Sequence, residues 1–291
     1  MGVKASLFTI LGAMGAAFVG LWARSSRGVP WPTAYTTFVG LVTDFFDTLG
    51  IGSFATTTSL YKLRGAVPDR LIPGTLNVGH TLPTLVQAFI YIAMVRVETK
   101  TLVSMIAAAV AGAWLGAGVV VRWPTRPIRI GLGVALLLAA GLLFAQQLRL
   151  LPPGGETLGL TGTRLAIAVA GNFVLGALMT LGVGLYAPCM ILISGLGMSV
   201  TAAFPIMMGS CAFLMPVAGA RFISKGAYAS AAALGLTLGG IPAVLVAAWV
   251  VRSLPLHALR WLVIVVVLTT AATMMRAAAR EADGKRGRSA V

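Results

Sequence analysis

Nine apolar segments, at about 6–23, 33–61, 71–95, 101–121, 128–147, 163–194, 201–223, 227–251 and 258–275, follow one another with almost no charge inside them. Runs of about 20 apolar residues can cross a bilayer as helices. Inside hydrocarbon every backbone N–H and C=O needs an internal partner, which leaves helices and closed barrels. These runs are long and do not alternate as barrel strands do, so they read as helices. Charged residues are only 10% of the 291-residue chain and hydrophobic ones 58%, whereas a soluble domain carries about 25% charge. The expected fold is an all-α polytopic membrane protein.

Segments two and six are longer than a span requires, and the same motif interrupts both. "TLGIGSFA" occupies Thr48 to Ala55 and "TLGVGLYA" occupies Thr180 to Ala187, 132 positions later. The same offset, without a gap, pairs Leu60 with Leu192, Gly65 with Gly197 and Pro73 with Pro205. Broken helices survive at membrane depth only where protein or a water-filled cavity lines them. The reading is two inverted repeats, each opened by a re-entrant hairpin. The boundaries are 1–32 for an extra N-terminal helix and loop, 33–148 and 149–276 for the repeats, and 277–291 for a basic cytoplasmic tail.

Loop charge favours that topology. With the basic C-terminus inside, nine crossings place 13 Lys and Arg inside and 9 outside. Treating segments two and six as hairpins gives 15 inside and 7 outside, closer to the positive-inside rule. Residues 6–23 read as a retained span with its N-terminus outside, since Arg24 and Arg27 follow it and no cleavage site is obvious. The net charge of +15 sits in short loops and the tail, which suits anionic lipids and not nucleic acid, for which a compact basic face is needed.

Both copies satisfy Gly-x-Gly-x-x-Ala, but a dinucleotide site needs a preceding strand and a soluble βαβ unit. Here the glycines instead let a hairpin tip turn sharply. The returning half-helices should start near Ser53 and near Ala187, with Pro188 in the first turn of the second. Helix starts offer N–H donors and the positive end of a dipole to an anion. Candidate substrate-binding residues are Gly50, Gly52, Ser53, Thr56 and Thr57 in the first copy, and Gly182, Gly184, Tyr186 and Cys189 in the second. The alternative role of the glycines is close helix packing.

Asp44 and Asp47 are the only acids inside an apolar segment, and they share a helix face at i,i+3. Intramembrane acids mark functional pathways, so they are candidates for proton coupling or gating together with His80. A charged Asp47 beside an anion would oppose binding, so it should be protonated or shielded there. Asn77, Thr81 and Thr84 are candidate pore-lining polar residues, with interhelical hydrogen bonding as the competing role. Cys189 and Cys211 show no metal-ligand spacing, and no metal or cofactor is expected.

With these residues in hand, the chain resembles the TauE/SafE-type sulfite exporter family. The resemblance rests on "GLVTDFFDTLGIGSFATTTSLYK" and "GNFVLGALMTLGVGLYAPCM" and covers roughly residues 33–276. Where many members have a richer glycine run at the first tip, Ser53 and Phe54 follow Gly52 here. The resemblance implies a bacterial inner-membrane permease, a secondary transporter for sulfite or an organosulfonate. No nucleotide-hydrolysing motif is present, so the drive would be protons or membrane potential. Two other readings stay open: a cation or metal permease using Asp44, Asp47, Asn77 and His80, and a membrane scaffold or intramembrane enzyme. A homo-oligomer is also compatible with the sequence.

Overall fold

The structure, a computed structural model, describes residues 3–26, 28–150, 154–250 and 268. Among them the chain forms eleven α-helices and no strand beyond an isolated bridge between Thr157 and Met198. The helices are α1 (Val3–Ser25), α2 (Ala34–Thr48), α3 (Ser53–Arg64), α4 (Ile72–Gly79), α5 (Thr81–Met94) and α6 (Thr99–Val120), then α7 (Thr125–Gln147), α8 (Gly162–Met179), α9 (Tyr186–Gly195), α10 (Val200–Ser224) and α11 (Ser230–Val250). Six of them, α1, α6, α7, α8, α10 and α11, are long and apolar enough to cross a membrane. The ninth segment, 258–275, and the tail at 277–291 lie outside the described residues apart from Leu268, as does Arg27.

Segments two and six do break at their Gly-x-Gly motifs, and each folds back as a hairpin. In the first, Tyr35 near the start of α2 donates from its hydroxyl to Leu60 O at 2.6 Å near the end of α3. The Arg64 guanidinium lies over the same tyrosine ring. In the second, Ser199 N–H donates to Thr157 O at 2.9 Å, joining the stretch before α8 to the stretch after α9. A continuous helix would hold either pair tens of ångströms apart, at about 1.5 Å per residue.

The two tips match bond by bond. At the first tip Gly50 N–H reaches Asp47 O and Ile51 N–H reaches Phe46 O; at the second, Gly182 reaches Met179 O and Val183 reaches Leu178 O. This pattern closes a helix around a residue with positive φ, which glycine adopts without strain; φ is +83° at Gly50 and +111° at Gly182. The hairpin ends match as well, since Gly65 and Gly197 close α3 and α9 with the same pair of bonds.

The hairpins are held by helices from the other part of the chain. The most extensive packing is α2 on α11 and α8 on α6, and both pairs run parallel. A Cβ on Gly40 would meet Leu236 backbone and one on Gly240 would meet Asp44, while a Cβ on Gly112 would meet Phe173 O and one on Gly176 would meet Ala109 O. Glycine at these points lets the backbones approach to a distance that no larger residue permits.

Contacts between helix ends then sort the loops. Ser26 meets Ser230 at 3.2 Å, Ala229 N–H reaches Thr75, Asp69 bonds both Lys62 and Arg129, and Gly118 faces Arg221. These contacts gather Arg24, Lys62, Arg64, Arg70, Arg122, Arg126, Arg129, Arg221 and Lys225 at one end of the bundle. Glu98 N–H bonds Leu158 O, so Arg96, Lys100 and Arg164 lie at the opposite end, where α1 starts beside Lys4 and α7 finishes near Arg149.

Segment three, expected as one helix, is divided at His80 into α4 and α5. Pro83 is the cause. It has no N–H to give to Gly79 O, four residues back, and that carbonyl accepts Thr237 Oγ1 from α11 at 2.6 Å instead. Pro73 falls in the first turn of α4, whereas Pro205, its match at the 132-residue offset, lies inside α10.

Candidate functional site

The two tips meet in the middle of the molecule through Asp47. The four-residue turn between α2 and α3 brings the carboxylate back onto the start of α3, where Oδ1 accepts Ser53 N–H at 2.6 Å. Oδ2 accepts Gln87 Nε2 from α5 at 2.9 Å. Tyr186, the first residue of α9, places its hydroxyl 3.0 Å from Asp47 Oδ2 and 2.9 Å from Gln87 Oε1, so its one proton serves either acceptor. Gln87 also donates to Thr48 Oγ1, and the Tyr91 hydroxyl donates to Thr48 O. An acid with only 2% exposure is thus bound to both tips and to α5.

One helical turn earlier, Asp44 pairs with His80. His80 Nδ1 lies 2.9 Å and 3.1 Å from the two Asp44 oxygens, and Nε2 lies 3.0 Å from Thr57 Oγ1. All three side chains are fully buried. With Nδ1–H donated to Asp44, Nε2 accepts from Thr57; a doubly protonated ring donates to both. The break at His80 matters here, because it sets the imidazole between α2 and α3. Phe54 covers one side of the ring, 5.9 Å between centroids.

Between the tips lies a cavity of about 220 Å³. Gly52, Ala55 and Thr56 line it from the first tip, and Gly184, Tyr186, Ala187 and Pro188 line it from the second. Its remaining wall is apolar, formed by Leu138 and Leu142 of α7 with Leu175 and Leu178 of α8. A smaller recess behind it is lined by Asp47, Ser53, Thr84, Gly184, Tyr186 and Cys211. Two helix starts therefore face one chamber, each with a positive dipole end, and one of them already carries a carboxylate.

A comparison with protein families matches residues 36–274 to the family described as Sulfite exporter TauE/SafE. The chain belongs to the TauE/SafE family. It is accordingly a membrane permease of a family concerned with sulfur-containing anions. Comparisons with curated proteins and with solved structures return no match. The matched TauE/SafE region takes in both hairpins and leaves α1 outside it.

Of the residues singled out in the sequence, Gly52, Ser53, Thr56, Gly184, Tyr186, Asp47 and Thr84 line the chamber or its recess. Gly50 and Gly182 shape the turns without lining it. Thr57 turns away to His80. Cys189 is fully buried and lines neither space, whereas Cys211, not among the candidates, lines the recess. Asn77 bonds within α4, to Pro73 O, and Thr81 bonds from α5 across the break to Asn77 O of α4; neither lines the chamber or its recess. No cluster of three His, Cys, Asp or Glu converges among the described residues. The site residues left out were Gln87, Thr48 and Tyr91. Gln87 is seven positions after His80 on the same helix face, and that spacing was its signal.

Proposed function

We propose that this TauE/SafE chain is a secondary-active permease of the bacterial inner membrane that carries an organosulfonate, or sulfite itself, coupled to protons. The observation that carries the reading is the shared chamber, in which two helix starts converge and Asp47 occupies the first of them. An incoming sulfonate competes with the Asp47 carboxylate for the Ser53 N–H and for Tyr186. Two anions at one helix start repel, so Asp47 must be neutralised by a proton when the substrate is seated. Proton and anion then travel together. Asp44, His80 and Thr57 form a buried row of exchangeable groups one turn away, suited to deliver that proton. The leucine walls give an apolar body a place to sit, which favours an organosulfonate over bare sulfite.

In the same reading the two hairpins are re-entrant and the halves inverted. The matched tip bonds and the reciprocal packing of α2 on α11 and α8 on α6 support it. The basic end of the bundle is cytoplasmic by the positive-inside rule. Single cysteines replacing Arg64 and Arg126 in a cysteine-free background should be labelled only from the cytoplasm. Labelling of either from the periplasm in intact cells defeats this topology.

Flux tests the function itself. Proteoliposomes holding the purified protein should take up labelled sulfite or a short alkylsulfonate faster under an imposed proton gradient than without one. Uptake no faster than in protein-free vesicles, for both substrates, would sink the transport reading.

A further inference from the structure

We infer that the groove between α1, α6 and α10 is a binding site for one anionic phospholipid, with the phosphate on Arg221 and one acyl chain lying along the groove. Two apolar hollows make it up. One, of about 470 Å³, is lined by Met14, Phe18, Leu21, Trp114, Val217 and Arg221 among others. The second, of about 690 Å³, continues from it past the shared Trp114 and Val217 to Ile10, Leu7 and Val103. From Leu21 to Leu7 the α1 wall is fourteen residues long, about 21 Å at 1.5 Å per residue, which exceeds one leaflet's share of a core about 30 Å thick.

The headgroup end is defined by charge. Arg221 lies in the last turn of α10, at the basic end of the bundle, with its guanidinium 4.2 Å over the half-exposed Trp114 ring. Gly118 makes room for it, because a Cβ there would strike the Arg221 Nη1. No ion pair to an acid is formed by Arg221 among the described residues, and Asp69 at that end is engaged by Lys62 and Arg129. A guanidinium presents a fork of donors that matches a phosphate, and the cytoplasmic leaflet supplies anionic lipid.

A second copy of the chain is the weaker occupant. It would bury the Arg221 guanidinium against apolar surface without a counter-charge, at a cost that a phosphate removes. The outer wall is α1, which lies outside the residues matched to the family. The site rests on the proposed topology, which puts Arg221 at the cytoplasmic leaflet, and not on substrate transport.

Native mass spectrometry of the purified full chain, titrated with phosphatidylglycerol or with phosphatidylcholine of the same acyl chains, tests it. The parent should hold one phosphatidylglycerol about fivefold more tightly than phosphatidylcholine. Arg221→Gln should erase that preference and Arg221→Lys should keep most of it. Ala111→Phe, which fills the deeper hollow, should weaken both lipids while leaving the headgroup preference. Thermal melting of each variant confirms that it is folded. A preference that survives in Arg221→Gln, or undiminished binding of both lipids to Ala111→Phe, overturns the site. So does a dimer whose dissociation is required before lipid binds.

Discussion

In proteoliposomes the Asp47→Asn protein should show no proton-driven flux above the rate in protein-free vesicles, while the purified variant still binds the anion. Asparagine keeps an oxygen for the Ser53 N–H, so the start of α3 stays capped and the tip keeps its shape. What it loses is the ability to alternate between charged and neutral forms. The sign of the pH effect follows from linkage. Substrate binds best when Asp47 carries a proton, so parental affinity should fall as pH rises through the titration of that carboxyl. In Asp47→Asn that slope should vanish. Flux and pH dependence both unchanged in the variant would remove Asp47 from the coupling step.

Gly176→Leu should cause a large loss of stability. A Cβ at Gly176 overlaps Ala109 O on the parallel helix α6, and backbone atoms cannot move aside as a side-chain tip can. Overpacking in a well-packed interior typically costs about 1–3 kcal/mol, and here the collision is with backbone in the second hairpin's main contact. Purified Gly176→Leu should melt well below the parent or fail to be recovered folded. Gly141→Leu is the control, because nothing among the described residues lies within 4 Å of a Cβ there, and it should melt with the parent. Equal melting of the two variants would show that the α6–α8 contact tolerates separation.

Much of this was legible in the residues. The Gly-x-Gly recurrence marked both tips, since positive φ confines a turn of this kind largely to glycine. The offset of 132 residues also paired Gly65 with Gly197, which proved to close both hairpins with the same bonds. Other features depended on distant segments. Asp47 read as an isolated acid because its partners lie at Ser53 across a turn, at Gln87 forty positions on and at Tyr186 in the other hairpin. The break at His80 was locally encoded in Pro83, yet other prolines do not break their helices; Pro205 and Pro216 sit inside an unbroken α10. In segment three the Pro83 break is accompanied by a distant hydroxyl, Thr237, which takes the orphaned Gly79 carbonyl. Cys189 and Cys211 exchanged expected places for a similar reason. Which thiol faces the recess is set by how α10 packs behind the tips, and residue type alone carries no record of that.

The joint anion site stands or falls most directly on Gly184→Val. Gly184 lines both the chamber and the recess, its φ is not positive, and no atom of the described residues lies within 4 Å of a Cβ placed there. Valine should therefore fit the backbone and project into the space reserved for substrate. Calorimetric titration of a short alkylsulfonate into the folded variant, beside the parent, measures the consequence. Binding weakened by at least about tenfold, or about 1.4 kcal/mol, with melting unchanged, is the expected result. Parental affinity in folded Gly184→Val would place the anion away from the paired tips and contradict the account.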